Sequence, residues 1–313
     1  MKNQIRQMLE GSTRGALWFD EPLAKHTTFG IGGPAECLVY PADKSDLMQL
    51  LRLCEKYNVV THFIGSGSNV LANSSGVEGL VISLKKTFKS FKITEGLQII
   101  TDSGVMLGTM VRQAIKRGIS GLESLIGVPG TVGGALIMNA GAYGTEISRN
   151  LFEATVLTKQ GKEKKLLKDQ LKFSYRSSSF NPEEILIAAV FNGEAGDPDQ
   201  IQTARNLASA RRKASQPLQF RSAGSIFKNP VGDTPTGLLI DQAGLKGTRC
   251  GDAEISEKHA NFIVNHRHAT SDDVLTLIRK MKNEIFALNN IHLELEIKLL
   301  GFPNSIMKEF GHA

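Results

Sequence analysis

GLESLIGVPGTVGGALIMNAGAYG, residues 121–144, decides how the rest of the chain is read. Seven of its 24 residues are glycine and none is Lys or Arg. Ordering glycine costs entropy, so this density implies backbone that takes φ > 0 or lies against something large. A flexible linker would be richer in Ser and charge, and would lack Leu125, Ile126, Val128, Val132, Leu136, Ile137 and Met138. Two readings stay open on these residues alone: a cofactor-facing loop with a short helix, or a tightly packed structural crossover.

Outward from this stretch, 313 residues at 41% apolar can bury a substantial core and exceed one ordinary domain, so two or three are expected. The net charge of +6 is mild and spread along the chain. That favours anionic small molecules over nucleic acid as partners. Cys37, Cys54 and Cys250 are odd in number and far apart, which indicates neither a disulfide framework nor a zinc site. The first fifteen residues lack a signal-peptide core, and no run approaches the roughly 18 apolar residues of a membrane helix. A soluble, cytoplasmic protein is expected.

Upstream, spacing predicts a helix over 3–9, a turn at Gly30, Gly32, Gly33 and Pro34, a strand over 35–40, and a helix capped by Asp43 or Ser45. A strand over 59–64 then runs into GSGSN, residues 65–69. This strand, helix, strand unit ends in a loop whose successive N–H groups can face a phosphate. The loop lacks the third glycine of the Rossmann fingerprint, and a strand-like segment follows it, so any dinucleotide is held another way. FKSFKITEG and LQIITDSG read as a hairpin, residues 106–117 as a helix, and EATVLTKQGKEKKLL as a hairpin turning at Gln160 and Gly161 with a solvated basic arm.

After a strand over 185–191, nine residues lead to a basic helix over 201–213, and a domain boundary is placed there. A short helix over 236–244 closes at Gly244, and a long one capped by Thr270 or Ser271 runs to Asn289. In the last strand, IHLELEIKLLG, Ile291, Leu293, Leu295, Ile297 and Leu299 share one face. His292, Glu294, Glu296 and Lys298 share the other, and a solvated face is its ordinary explanation; periodicity does not separate Glu294 from Glu296. His259, His266 and His268 make a weak metal pattern, and loop or cap roles are favoured, so no metal is expected. Arg176 and Ser225 are in themselves a guanidinium and a loop serine, singled out by the glycines and aromatics around them.

TTFGIGGPAE, GSGSN, GVPGTVGGALIMNAGAYG, YRSS, AGSIFKNP, SEKHANFIVN and LELEIKLLG occur in an order that resembles the UDP-N-acetylenolpyruvoylglucosamine reductase (MurB) family, over residues 23–301. The resemblance implies an α+β chain: a two-lobed FAD-binding fold of the vanillyl-alcohol-oxidase type, then a C-terminal α+β substrate domain. The implied division is 1–60 with 299–313, 61–200, and 201–298. The implied activity is FAD-dependent reduction of UDP-N-acetylglucosamine enolpyruvate to UDP-N-acetylmuramate for peptidoglycan synthesis. A hydride would pass from NADPH to FAD to substrate C3, with protonation at C2.

Carried over by motif, Ser225 would donate the proton, Arg176 would polarise the enolpyruvyl carboxylate, and Glu296 would stabilise or protonate the intermediate. Ile64, Gly65, Ser66, Gly67, Ser68 and Asn69 would hold the FAD pyrophosphate. Ile126, Gly127, Pro129, Gly130, Thr131, Gly133, Gly134, Asn139, Gly141, Ala142 and Tyr143 would line the cofactor, with Arg221 touching FAD or a diphosphate. Tyr175, Lys213 and Asn229 would meet the substrate, and the charge of the chain suits its diphosphate. No His or Cys stands in GSGSN, so FAD would be held without a covalent link. Ser66 stands where relatives often carry Asn, with little effect expected on backbone binding. The nine-residue connector has no room for the tyrosine-bearing lid insertion, which implies the second class of the family, with no lid tyrosine to carry over. A monomer is expected. The competing readings are a flavin oxidase or dehydrogenase of the same fold on another sugar, and a non-catalytic nucleotide-binding protein.

Overall fold

Helices begin where the sequence supplies caps. In this computed structural model, which describes residues 2–158, 160–232 and 234–311, the Asp43 carboxylate accepts from the Asp46 N–H and starts the helix Lys44–Lys56. That helix buries Leu47, Leu50, Leu51 and Cys54. Thr270, the first of the two expected caps, opens Ser271–Asn289 in a reciprocal capping box with Asp273. Pro198 starts the basic helix earlier than expected, at Pro198–Ser215, since proline in a first helical position loses no bond.

The chain divides into two compact units: Met1–Trp18, Cys37–Ser66 and Gly79–Arg212 form one, Phe19–Glu36, Gly67–Glu78 and Lys213–Ala313 the other. In the first unit, an antiparallel sheet is ordered Glu163–Leu167, Leu151–Leu157, Ile185–Asn192, Gln98–Asp102, Phe91–Ile93. Both expected hairpins are in it. Its core joins Ala154, Val156, Leu186 and Phe191 of the sheet to Met110, Val111 and Ala114 of the helix Leu107–Lys116, and to Val132 and Leu136. Each fully buried Val, Leu, Phe or Met side chain among these contributes about 1.5–3 kcal/mol of burial energy. The basic arm is exposed and ion-paired through Lys44–Glu163, Lys164–Glu184 and Lys165–Glu153. A second sheet is ordered Ala16–Pro22, Pro34–Tyr40, Val77–Ser83, Thr61–Ile64.

In the second unit the helix Ser271–Asn289 turns Val274, Leu277, Ile278, Met281 and Ile285 into a core with Phe227, Ile240, Ile255, Ile263, Leu293, Leu295 and Ile297. The strands Ala253–Ile255 and Ile263–Asn265 pair antiparallel beside it. The expected last strand needs correction. Its burial alternates as read, but ladder pairing is confined to Lys298–Leu300, which runs parallel to Val70–Ala72. Residues 291–297 are extended with a single bridge, Leu295 to Phe227. Pairing there is limited to the two bonds that flank the bridge, Glu296 N to Ile226 O and Lys228 N to Glu294 O, while Phe227 turns its own N–H and C=O the other way, to the Asn261 side chain.

Candidate active site

The glycine-rich stretch takes its form from backbone demands. Gly121, Gly127, Gly130 and Gly144 have φ between +79° and +145°, conformations that L-residues rarely adopt. Gly133 lies so close to Ser103 that an added Cβ would stand 2.8 Å from its Cβ. Thr131 caps the short helix Val132–Ile137 by accepting from the Gly134 N–H. Asn139 and Tyr143 are left-handed too, at 44° and 52°. The short helix expected here is present.

GSGSN lies against that cap: a Cβ on Gly65 would sit 2.6 Å from Thr131 Oγ1. At Gly67, φ is +68° and a Cβ would collide with the His26 carbonyl oxygen. Among the described residues the backbone N–H groups of Gly65, Gly67 and Asn69 have no hydrogen-bond partner. Unpaired donors on a glycine loop, with no side chain in the way, are what a pyrophosphate requires, so these residues fit FAD. Sequence reading missed Arg212, whose Cδ would be 3.2 Å from a Cβ on Gly127. Burial lowers its pKa, and Tyr143 works against that. In sequence it is one of three cations ending a basic helix, with nothing to separate it from Arg211, which lies 5.9 Å from the Tyr143 ring.

Tyr175 and Arg176 form a two-residue turn between Phe173–Ser174 and Ser177–Ser178. Arg176 is left-handed, with φ 54°. Its Nη2 donates to Gly141 O at 3.2 Å, and its guanidinium lies 4.9 Å from the Tyr175 ring. Arg176, Gly141, Asn139 and Gly65 thus belong to one connected piece of the first unit.

In the second unit Ser225 follows Gly224, which has φ 82°. Asn261 clamps the segment after it: Oδ1 accepts from Phe227 N at 3.0 Å and Nδ2 donates to Phe227 O at 2.8 Å, while Ile226 N donates to Asn261 O. On the other side Glu296 N donates to Ile226 O and Lys228 N to Glu294 O. Ser225 and Glu296 therefore stand on neighbouring extended segments. The two acids that periodicity left equal differ here: Glu294 is exposed and ion-paired to Lys228, and Glu296 is half-buried. Asn69 ties GSGSN to the same segment, donating from Nδ2 to Glu296 O and accepting at its carbonyl from Lys298 N.

The remaining expected contacts are less alike. Arg221 packs over Gly30, whose φ is +67°. Lys213 is exposed, and its carbonyl accepts from Lys258 Nζ. Asn229 Oδ1 accepts from Thr236 N at 3.1 Å, holding the start of the helix Thr236–Gln242. Of the histidines, His266 meets Glu254 at 2.9 Å, and burial pushes His259 below its ordinary value, leaving Nδ1 to accept from Asn261 N. Among the described residues no group of three or more His, Cys, Asp or Glu is arranged to hold a metal.

Comparison with known proteins covers most of this frame. Sequence profiles of an FAD-binding domain and of the C-terminal domain of UDP-N-acetylenolpyruvoylglucosamine reductase match residues 35–166 and 216–300. The chain is similar to the UDP-N-acetylenolpyruvoylglucosamine reductase of Syntrophus aciditrophicus, 40% identical with 95% of this chain and 96% of that protein covered. It is also similar to reductase 2 of that name from Symbiobacterium thermophilum, 42% identical over 90% and 91%. The crystal structure of the enzyme from Thermus caldophilus superposes with a TM-score of 0.79 at 33% identity, covering 92% of this chain and 99% of that one.

Proposed function

Given that the chain belongs to the UDP-N-acetylenolpyruvoylglucosamine reductase family, we propose that it reduces UDP-N-acetylglucosamine enolpyruvate to UDP-N-acetylmuramate, with NADPH as hydride donor, in peptidoglycan precursor synthesis. FAD, held without a covalent link, supplies the relay of a hydride from NADPH to C3 of the enolpyruvyl ether. The backbone of residues 64–69 holds its pyrophosphate, and residues 126–143 with Arg221 line the rest.

Arg176 binds the enolpyruvyl carboxylate and offsets the negative charge that grows there as C3 accepts the hydride. Ser225 delivers a proton to C2. A hydroxyl near its ordinary pKa is a poor acid, so this role suits a strongly basic carbanion or enolate and needs a hydrogen-bonded group to return the proton. Glu296 helps to stabilise or protonate the intermediate, and Tyr175, Lys213 and Asn229 orient the substrate. The observation that supports this most is the Ile226–Glu296 pairing, which sets the serine and the acid on adjoining segments inside the region matched to the family's C-terminal domain.

In this reading 1–60 with 299–313 and then 61–200 make the FAD-binding lobes, and 201–298 makes the substrate domain. The described residues contain no helix long and apolar enough to cross a membrane, and we place the enzyme in the cytoplasm as a monomer. The short span between Ile185–Asn192 and Pro198–Ser215 supports the class without a tyrosine lid.

The test is anaerobic. The flavin absorbance of purified protein should bleach with NADPH and recover with the enolpyruvyl nucleotide. Bleaching by a free sugar and not by NADPH would assign another flavin oxidoreductase, and a colourless protein a binding role.

A further inference from the structure

Asn139 is fully buried, yet it stands at a left-handed backbone position and spends its amide in an unusual way. Nδ2 donates to Glu146 Oε2 at 2.8 Å and to Ser174 O at 3.0 Å. Both partners are pure acceptors, so the amide orientation is fixed by chemistry. Ser174 is the residue before the Tyr175–Arg176 turn. Two further bonds tie that hairpin to the same stretch: Ser178 Oγ to Ile137 O at 2.7 Å, and Arg176 Nη2 to Gly141 O.

Glu146 reaches Asn139 by lying along Gly141, its strand partner: a Cβ on Gly141 would stand 3.0 Å from Glu146 Cγ. A left-handed arginine costs about 1–2 kcal/mol and persists where its surroundings over-determine it. Three anchors on a hairpin with a two-residue turn supply that determination. The carboxylate of Glu146 matters because Asn139 alone could rotate away from Ser174. With one amide hydrogen on Glu146, the other is aimed.

We infer that Glu146 and Asn139 are a positioning pair that sets Arg176 by holding the carbonyl at the root of its turn. The inference rests on the proposed role of Arg176 at the enolpyruvyl carboxylate. It adds a residue, Glu146, that touches neither substrate nor cofactor in that reading, and gives Asn139 a second task.

The experiment compares Glu146→Ala, Glu146→Gln and Arg176→Ala as holoenzymes, following each half-reaction separately. Glu146→Ala should slow recovery by the enolpyruvyl nucleotide about tenfold, as for a partly misplaced group. Its flavin content and bleaching by NADPH should stay near those of the parent, and its Tm should fall by no more than the few degrees that one unpaired amide hydrogen costs. Glu146→Gln keeps an acceptor oxygen and should restore most of the lost rate. The Glu146→Ala/Arg176→Ala double variant should be no slower than Arg176→Ala alone, because both act through one group. Independently of turnover, amide exchange over residues 173–178 should speed up in Glu146→Ala.

A Glu146→Ala protein with normal recovery, or one that loses flavin and NADPH bleaching as much as recovery, would overturn the inference. So would an effect that simply multiplies with that of Arg176→Ala. If Arg176→Ala itself recovers at the parental rate, the assignment of Arg176 falls first, an outcome distinct from the others.

Discussion

The stretch over residues 121–144 and the AGSIFKNP segment over 223–230 carry the same kind of burden by opposite means. The first gets its shape from what its backbone lacks: side chains at Gly127, Gly130 and Gly133, where φ or close approach forbids them. The second has one glycine before its serine and gets its shape from a side chain 34 positions away, Asn261, which takes both backbone groups of Phe227. Backbone-written form can be read locally. Form imposed by a distant amide cannot.

The clamp should break hardest. Asn261→Ala leaves the N–H and C=O of a buried residue unpaired, at about 1–3 kcal/mol each, so thermal unfolding should move down sharply. Asn261→Asp keeps an acceptor for Phe227 N and loses the donor, and should fall between parent and Ala. Equal losses in the two variants would show that the amide is not holding both groups.

On the glycine side, Gly67→Ala should cost more than Gly65→Ala. The first meets the His26 carbonyl at φ +68°, at a penalty of about 1–3 kcal/mol, whereas the second meets a hydroxyl that can turn. Flavin retained through gel filtration measures both. If Gly65→Ala lost flavin and Gly67→Ala kept it, the loop would not be working through its backbone.

The smallest effect is a reference outside both regions. Hydrogen bonding, first from the Asp46 N–H, pulls the Asp43 carboxyl from 3.8 to about 2. The sign is that of a depressed acid: its cap is fully present above about pH 4 and is lost as pH falls through about 2. Asp43→Asn, which caps without titrating, should flatten the acid limb of a stability curve slightly, and an unchanged limb would remove the cap from the account.

The same contrast explains what could be read in advance. Caps at Asp43 and Thr270, the hairpins, and the alternating faces of residues 291–300 are short-range signals, and they reach the structure nearly unchanged. The ladder of that last segment was overdrawn because bonding depends on its neighbour, which periodicity does not contain. Glu296 could not be told from Glu294 until Lys228 was seen to claim the latter. Arg212 and Glu146 left no signal, one hidden in a basic run and the other an isolated acid. Serine, arginine and acid roles came from motif resemblance, and the glycine loops from chemistry.

The most direct measurement is anaerobic stopped-flow on Ser225→Ala. The account predicts flavin bleaching by NADPH at nearly the parental rate, with recovery by the enolpyruvyl nucleotide slowed by about 10²–10⁴-fold, the range for a lost proton donor. Recovery as fast as in the parent would contradict it.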